Sequence, residues 1–354
     1  MKKYRIFLAC LFLAGCVSTP NLWGATPVFA PAATATATET ATLSPTLTAP
    51  LTQPPTGTPT LIPSITPTVY LEPTATPEPE GIQRVLIISY DGMRTDAIAE
   101  APMPNLLELM KTGAYNLTTD RTVAYPSTSP SHASMLSGLC MEQHGIIYDK
   151  YFIYMGYSKG VDIFDLAHGA GMKTVMLVSK AKLRQLAEPE TTDVFEVRYG
   201  EPAVSREAVA QIAQGFDLMF IHFAGPDLRG HKYGWMSGEY LKVLRQGDDA
   251  LGAILAALDE NGLRETTLII VTADHGGHDK NHVGTVIEDY RIPWIANGPD
   301  IVPGEITTPM QTMDTAATAA YALNLPQQPE WAGIPVYEAF GVPRLKSHPE
   351  KVCD

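Results

Sequence analysis

Four apolar runs in the second part of the chain constrain its fold more than any other feature. They cover 84–90, 173–178, 216–223 and 267–272, and they are rich in β-branched residues. Such unalternated runs are typical of strands buried on both faces of a parallel sheet. Predicted helices lie between and around them, at 103–111, 131–139, 206–214, 236–261 and 311–323. The alternation predicts an α/β fold, with a mostly parallel sheet sandwiched between helices.

The residues before the first run predict an export signal and a spacer. Three basic residues and a short apolar run precede Leu-Ala-Gly-Cys at 13–16, which resembles a bacterial lipoprotein cleavage box. We expect 1–16 to be a lipoprotein signal peptide, with Cys16 lipidated and the protein anchored to a bacterial membrane outside the cytoplasm. The alternative is an ordinary secretory signal with a chance cysteine, and both alternatives predict export.

Residues 17–81 are expected to form a disordered stalk. More than half of residues 31–80 are Thr or Pro, and none is Lys or Arg. Such a segment buries too little apolar surface to offset the entropy lost on ordering. The folded domain is therefore expected at 82–354.

Charge and hydropathy exclude two classes of protein. The chain has 25 Lys and Arg against 38 Asp and Glu, a formal net charge of -13. We expect no nucleic-acid binding, because such binding needs a basic face. No apolar run approaches the roughly 20 residues that span a bilayer, which excludes a polytopic membrane protein.

Aspartates follow three of the four apolar runs. Asp91 comes after the first, Asp227 after the third and Asp274 after the fourth. Because the carboxyl ends of the strands form the ligand crevice of an open α/β sheet, these carboxylates are expected to meet there. A single aspartate after a strand is usually a turn or capping residue. Three of them favour a site.

Histidines accompany two of these aspartates. His231 lies four residues after Asp227, on the same face if the segment is helical. Carboxylate and imidazole together suit zinc or another divalent transition metal. The predicted ligands, enough for two ions, are Asp91, Asp227, His231, Asp274, His275 and His282. The alternative is an acidic, histidine-rich surface loop.

A hydroxyl-rich segment at 127–132 supplies a candidate nucleophile. Pro130 suits the first turn of a helix, which would place Thr128 just before the helix N-terminus. The amides and dipole there would favour an anionic group, and metal coordination can activate a hydroxyl for attack. The competing explanation is that these hydroxyls merely cap a helix.

Together these segments resemble the alkaline phosphatase superfamily, and most closely its type I phosphodiesterase/nucleotide pyrophosphatase branch. The similar motifs are Asp-Gly-Met-Arg at 91–94, Thr-Ser-Pro-Ser-His at 128–132, Gly-Pro-Asp-Leu-Arg-Gly-His at 225–231 and Ala-Asp-His-Gly-Gly at 273–277. They occur in the family's order, and the resemblance covers 82 to about 343. It implies an alkaline phosphatase-like fold and a metal-dependent hydrolase that cleaves phosphodiester or pyrophosphate bonds in small phosphate esters.

The resemblance also implies roles for individual residues. Asp227, His231 and a third histidine would bind one zinc ion, and Asp91, Asp274, His275 and Thr128 the other. Thr128 would attack phosphorus and form a covalent phospho-threonine. His282 is the predicted third histidine because a glycine follows shortly after it, and His278 and the distant His348 are the alternatives.

Several departures bear on the substrate. Sulfatases need Cys or Ser at the position of Thr128 and Arg at the position of His132, so sulfatase activity is not expected. Asp149 stands where nucleotide pyrophosphatases usually carry an asparagine, and a carboxylate would repel phosphate unless it is protonated or paired. The alternatives are a phosphomonoesterase, a phosphonate hydrolase or a non-catalytic surface protein.

Other polar residues receive structural interpretations. His132 is expected to support the helix start or the metal shell, His144 to fix a turn and His222 to lie in the core or behind a ligand. Cys140 and Cys353 could form a disulfide after export or remain separate thiols.

Overall fold

The computed structural model describes residues 79–344, 348 and 353. The predicted signal peptide, its Cys16 and nearly all of the predicted stalk therefore lie outside the described residues. Within the described ranges, no helix combines the length and the apolar character needed to cross a membrane.

The strands form one large sheet and one small one. Their bounds are β1 (Arg84–Tyr90), β2 (Ala114–Asn116), β3 (Asp120–Arg121), β4 (Thr174–Val178), β5 (Val194–Val197), β6 (Leu218–Phe223), β7 (Thr267–Thr272), β8 (Trp294–Asn297), β9 (Gly304–Glu305) and β10 (Met310–Gln311). The large sheet has the order β5-β4-β6-β1-β7-β8-β2-β9, and β10 pairs with β3. Neighbours from β5 to β7 are parallel, whereas β8 is antiparallel to both β7 and β2. The predicted, mostly parallel sheet is confirmed.

The α-helices connect these strands and cover the sheet. They are α1 (Ala97–Glu100), α2 (Pro104–Thr112), α3 (Thr128–Ser137), α4 (Met141–His144), α5 (Ile163–Gly169), α6 (Glu201–Ala213), α7 (Gly225–Tyr233), α8 (Gly238–Glu260), α9 (Ile287–Tyr290) and α10 (Asp314–Ala322). Short 3-10 helices cover Ile153–Met155, Ala181–Leu186, Arg264–Thr266 and Tyr337–Phe340.

The side chains of β1 show why the sheet is covered on both faces. Val85 and Ile87 belong to one hydrophobic cluster, which also contains residues of α3, α5 and α10. Leu86 and Ile88 point to the other face and pack with residues of α2, α6 and α8. Because successive side chains of a strand alternate between faces, an unbroken apolar run is buried only in such a sandwich.

Three predicted helix starts are wrong. The helix predicted from 206 begins five residues earlier, at Glu201. The helix that carries the candidate nucleophile begins at Thr128, not after it, and Ser127 with its extended backbone is the N-cap. The last predicted helix begins at Asp314, because Met310–Gln311 pairs with β3 as a strand.

The two cysteines of the folded domain are bonded. Cys140 and Cys353 form a disulfide across 213 residues of sequence, with their Cα atoms 5.6 Å apart. The bond ties the end of the chain to the residues that follow α3. Of the two alternatives left open by the sequence, the structure contains the disulfide.

Gly138 at the end of α3 provides a test of this packing. Its backbone is left-handed (φ +69°), and an added Cβ would lie 2.7 Å from the Trp331 ring. We expect Gly138→Ala to lower the free energy of unfolding by about 1–2 kcal/mol for the backbone and by about 1–3 kcal/mol more for the overlap. Gly171→Ala is the matched control, because Gly171 is also left-handed (φ +78°) and has open space around it. Chemical denaturation that gives equal losses for both variants would contradict this explanation.

Candidate active site

The candidate site lies at the carboxyl ends of adjacent strands in the middle of the sheet. Asp91 directly follows β1, Asp227 lies in the first turn of α7 after β6, and Asp274 follows β7. All three side chains are buried. The Asp227 amide donates to the Asp91 carbonyl (2.9 Å), and the Gly92 amide donates to Asp274 Oδ1 (3.0 Å). The backbone itself thus holds the three aspartates together.

Asp227, His231 and His282 form the first group of metal-ligand type. The segment from Asp227 to His231 is helical, which places both residues on one face of α7. His231 Nε2 lies 3.2 Å from Asp227 Oδ1 and 3.1 Å from His282 Nε2. His282 Nε2 is 3.6 Å from the same carboxylate oxygen. The structure brings these three predicted ligands together.

Asp91, Asp274 and His275 form the second group. His275 Nε2 lies 3.5 Å from Asp91 Oδ1 and 3.4 Å from Asp274 Oδ2. Among the described residues, neither His275 Nε2 nor Asp274 Oδ2 has a hydrogen-bond partner, although both are buried. Buried polar atoms are normally satisfied, so these two fit a site built for a cation.

The imidazoles of both groups are oriented for ligation. His231 Nδ1 donates to the Lys280 carbonyl (2.9 Å), His282 Nδ1 to the Pro126 carbonyl (2.8 Å) and His275 Nδ1 to its neighbouring carbonyl at Gly276 (2.8 Å). With the proton on Nδ1, the lone pair of each Nε2 points toward the carboxylates. Metal-ligating histidines usually have this second hydrogen bond, so the residues fit divalent metal ions.

Thr128 lies beside the second group, at the first residue of α3. Its side chain is buried, and Oγ1 is 3.5 Å from Asp91 Oδ1. The N-terminus of α3 places backbone amides and the positive end of a helix dipole near this hydroxyl. The hydroxyl therefore lies between a helix N-terminus and a group of metal-ligand type.

The sequence analysis missed Lys180. It lies two residues after β4, and its Nζ is 2.7 Å from Asp91 Oδ2, 2.6 Å from Asp227 Oδ2 and 3.1 Å from Thr128 Oγ1. One signal in the sequence could have identified it, because a charged residue also follows the apolar run at 173–178 by two positions, as aspartates follow the other runs.

These contacts lower the pKa values of two of the three carboxyl groups and leave the third raised. Burial raises the pKa of Asp91, but the Lys180 ammonium and a hydrogen bond from His222 outweigh it and hold the pKa well below its usual range. Burial and the Asp91 charge raise the pKa of Asp227, but Lys180, His231 and His275 together outweigh both and hold this pKa below its ordinary value. Burial and the Asp91 charge raise the pKa of Asp274 well above its ordinary value. A bound cation would keep this third carboxyl ionised.

Two buried histidines support the site from behind. His222 Nδ1 accepts from the Ser179 amide (3.2 Å), so its Nε2 carries the proton and donates to Asp91 Oδ2 (2.8 Å). His132 Nδ1 donates to the Thr128 carbonyl (2.7 Å), and its Nε2 accepts from the Ser89 hydroxyl (2.8 Å). They fix the orientation of Asp91 and of the first turn of α3.

The competing histidines lie elsewhere. His278 Nδ1 is bound to Asp289 Oδ1 (2.7 Å), and His348 Nε2 to Asp314 Oδ1 (2.7 Å). Neither belongs to the two groups found among the described residues. His144 accepts from the amide of Ile146 (3.1 Å), in the turn that follows α4.

Asp149 is paired with a lysine, so its carboxylate need not repel a phosphate group. Lys182 Nζ lies 2.6 Å from both of its oxygens, and the Ser129 amide donates to Oδ1 (3.0 Å). The residue therefore lies next to the nucleophile segment with its charge neutralised.

The support given by His222 predicts an effect on metal affinity. We expect His222→Phe to lower zinc affinity about 10–100-fold, because Asp91 loses the group that orients it. Titration of zinc against a chromogenic chelator measures the change. His144→Phe replaces another buried histidine, one whose described hydrogen bonds go to Ser134 and Ile146. Equal affinities in the two variants would refute the role of His222.

Curated proteins are similar to this chain in sequence. The bis(5'-adenosyl)-triphosphatase of Xenopus laevis is 26% identical over 226 residues, which are 58% of this chain and 48% of that protein. The chain thus spans about half the length of the curated relatives it matches.

Solved structures share the fold. Murine ectonucleotide pyrophosphatase/phosphodiesterase 5 matches 73% of this chain and 99% of its own, with a TM-score of 0.61 and 17% identity. A 2-O GAG sulfatase matches 77% of this chain and 76% of its own, with a TM-score of 0.62 and 16% identity. The predicted alkaline phosphatase-like fold is confirmed.

The family model described as type I phosphodiesterase/nucleotide pyrophosphatase matches residues 85–164 and 173–299, which together make up more than half of the chain. Those ranges contain both ligand groups, Thr128 and Lys180. The chain belongs to the type I phosphodiesterase/nucleotide pyrophosphatase family.

Proposed function

We propose that this protein hydrolyses phosphodiester or pyrophosphate bonds of small phosphate esters through a covalent phospho-threonine at Thr128. Its family supports the reaction class. The observation that carries the proposal is the position of the Thr128 hydroxyl, buried at the N-terminus of α3 and 3.5 Å from an oxygen of the second ligand group. The positive end of the helix dipole at this place favours both an ionised hydroxyl and a bound phosphoryl group.

The proposal includes two divalent metal ions, and the mixed imidazole and carboxylate donors favour zinc. Asp227, His231 and His282 would hold one ion, and Asp91, Asp274, His275 and Thr128 the other. When bound, such ions act as Lewis acids that neutralise the phosphoryl charge and activate hydroxyl and water.

The proposed reaction has two successive displacements at phosphorus. Thr128 loses its hydroxyl proton, its Oγ1 forms a bond to phosphorus as the bond to the leaving oxygen breaks, and the leaving oxygen takes up a proton from solvent. Water then forms the next bond to phosphorus as the bond to Oγ1 breaks, and a proton from that water returns to Oγ1.

The pairing of Asp149 with Lys182 is compatible with phosphate-ester hydrolysis. Asp149 would contact the substrate differently from the asparagine that nucleotide pyrophosphatases usually carry at this position. A neutralised carboxylate does not repel the phosphoryl group, and Asp149 uses the Ser129 amide for itself. The same nucleophile and ligands also suit a phosphomonoesterase or a phosphonate hydrolase. A non-catalytic surface protein would be expected to lack a ligand or the nucleophile, and the described residues include all of them.

We also propose that the enzyme is exported and anchored through a lipid at Cys16. The support is the short apolar run that ends in a lipoprotein-like cleavage box, followed by the Thr/Pro-rich segment. The disulfide in the folded domain agrees with an oxidising compartment.

The proposed nucleophile is tested by comparing kcat/KM on an aryl phosphodiester and the matched phosphomonoester, with zinc present. We expect diester preference, and a loss of about three orders of magnitude or more in Thr128→Ala, because the residual rate then comes from the electrostatic groups alone. Thr128→Ser keeps a hydroxyl and is expected to keep measurable turnover.

A preference for the monoester, with the same dependence on Thr128, would indicate that the enzyme is a phosphomonoesterase. Turnover of neither ester by the zinc-loaded protein would contradict the proposed function and direct the search to phosphonates. Undiminished activity of Thr128→Ala would refute the covalent mechanism.

A further inference from the structure

Among the residues that the structure describes, Lys180 is the one group outside the ligand sets that contacts both of them and the nucleophile. Its Nζ lies 2.7 Å from Asp91 Oδ2, 2.6 Å from Asp227 Oδ2 and 3.1 Å from Thr128 Oγ1, and its side chain is 14% exposed. Three short contacts use all three protons of an ammonium group. The side chain is therefore fixed at the centre of the site.

The contacts of Lys180 leave the ligand-facing atoms free. It uses the Oδ2 atoms of Asp91 and Asp227, whereas Asp91 Oδ1 lies 3.5 Å from His275 Nε2 and Asp227 Oδ1 lies 3.2 Å from His231 Nε2. Each carboxylate thus presents one oxygen to the lysine and the other to a ligand group. The lysine therefore does not use the carboxylate oxygens that face the histidines.

We propose that Lys180 is a catalytic residue, which stabilises the negative charge on Thr128 Oγ1 when the bond between this oxygen and phosphorus breaks. The inference rests on the proposed phospho-threonine. In the second displacement, the electron pair of the breaking bond goes to Oγ1, and a proton from the attacking water finally neutralises it. Lys180 keeps its own proton and donates a hydrogen bond to Oγ1 throughout.

The two displacements depend on Lys180 to different extents. In the first, Oγ1 gives up charge as it bonds to phosphorus, so a hydrogen bond from a cation stabilises the starting state as well as the transition state. In the second, charge builds on Oγ1, and the same hydrogen bond favours the transition state alone. Loss of the ammonium group should therefore slow hydrolysis of the phospho-threonine more than its formation.

A purely structural role predicts something else. Lys180 neutralises buried carboxylates of both ligand groups, and a residue that did only this would affect zinc content and folding. Its loss would not alter the balance between the two displacements. The fraction of enzyme present as phospho-threonine during turnover separates the two roles.

The test uses Lys180→Met in the full chain, purified and assayed with zinc. We expect kcat to fall about 100–1,000-fold, as on removal of one donor to a developing oxyanion, with zinc per chain unchanged. After rapid acid quenching, intact mass should show a larger phospho-threonine fraction than in the wild type. Lys180→Arg keeps the charge and is expected to recover part of kcat. Lys111→Met removes an exposed lysine on α2 and serves as the charge-matched control.

Three outcomes would overturn the proposal. They are an unchanged kcat in Lys180→Met, a loss of kcat that parallels a loss of zinc, and a phospho-threonine fraction no larger than in the wild type. If Lys180→Met does not fold, Lys180→Arg replaces it in the test: a lower kcat with a larger phospho-threonine fraction than in the wild type would support the proposal, and a fraction no larger than in the wild type would overturn it. An unchanged kcat in Thr128→Ala would instead overturn the proposed function, and is recognised without any Lys180 variant.

Discussion

The burial of three carboxylates at one edge of the sheet is the constraint on which the rest of this site depends. Asp91, Asp227 and Asp274 are almost wholly removed from water, and moving an ionised carboxylate out of water is costly unless a cation or hydrogen bonds compensate. Lys180 compensates two of them directly. The third has its pKa raised by burial first and by Asp91 second, so it needs a further cation to stay ionised. Oriented imidazoles around both groups indicate how that cation would be held.

Much of the fold could be predicted because buried strands appear in the sequence as runs of apolar residues. The bounds of β1 and β7 agree with the predicted 84–90 and 267–272, since a strand covered on both faces consists mainly of apolar residues. The positions of the aspartates follow from the same fact, because such runs end where the chain leaves the core. The apolar runs thus predicted both the strands and the edge of the sheet at which the site lies.

Other features could not be predicted because they depend on three-dimensional contacts that leave no pattern in the sequence. The short strands β8 and β9 have no run long enough to distinguish them from loops, and their pairing depends on contacts distant in sequence. The start of α3 at Thr128 depends on the extended backbone of Ser127, which no periodicity reveals. Lys180 follows its strand as the aspartates follow theirs, but a lone lysine after a strand usually points into solvent.

A polar layer explains how a charged site can be built directly on an apolar core. In the register of the central strands, Ser89 of β1 lies opposite His222 of β6 on one side and Thr272 of β7 on the other. This is the last full row before the chain turns into the site. Ser89 binds His132, and His222 binds Asp91.

The layer also gives His222 a function in an otherwise apolar run. A one-residue slip of β1 would move both Ser89 and Asp91 to the other face of the sheet and separate them from their partners. The apolar rows below fix that register through packing on both faces of the sheet. The hydrophobic sequence of β1 therefore determines where the carboxylate of Asp91 stands, and with it the geometry of the nucleophile, the lysine and both ligand groups.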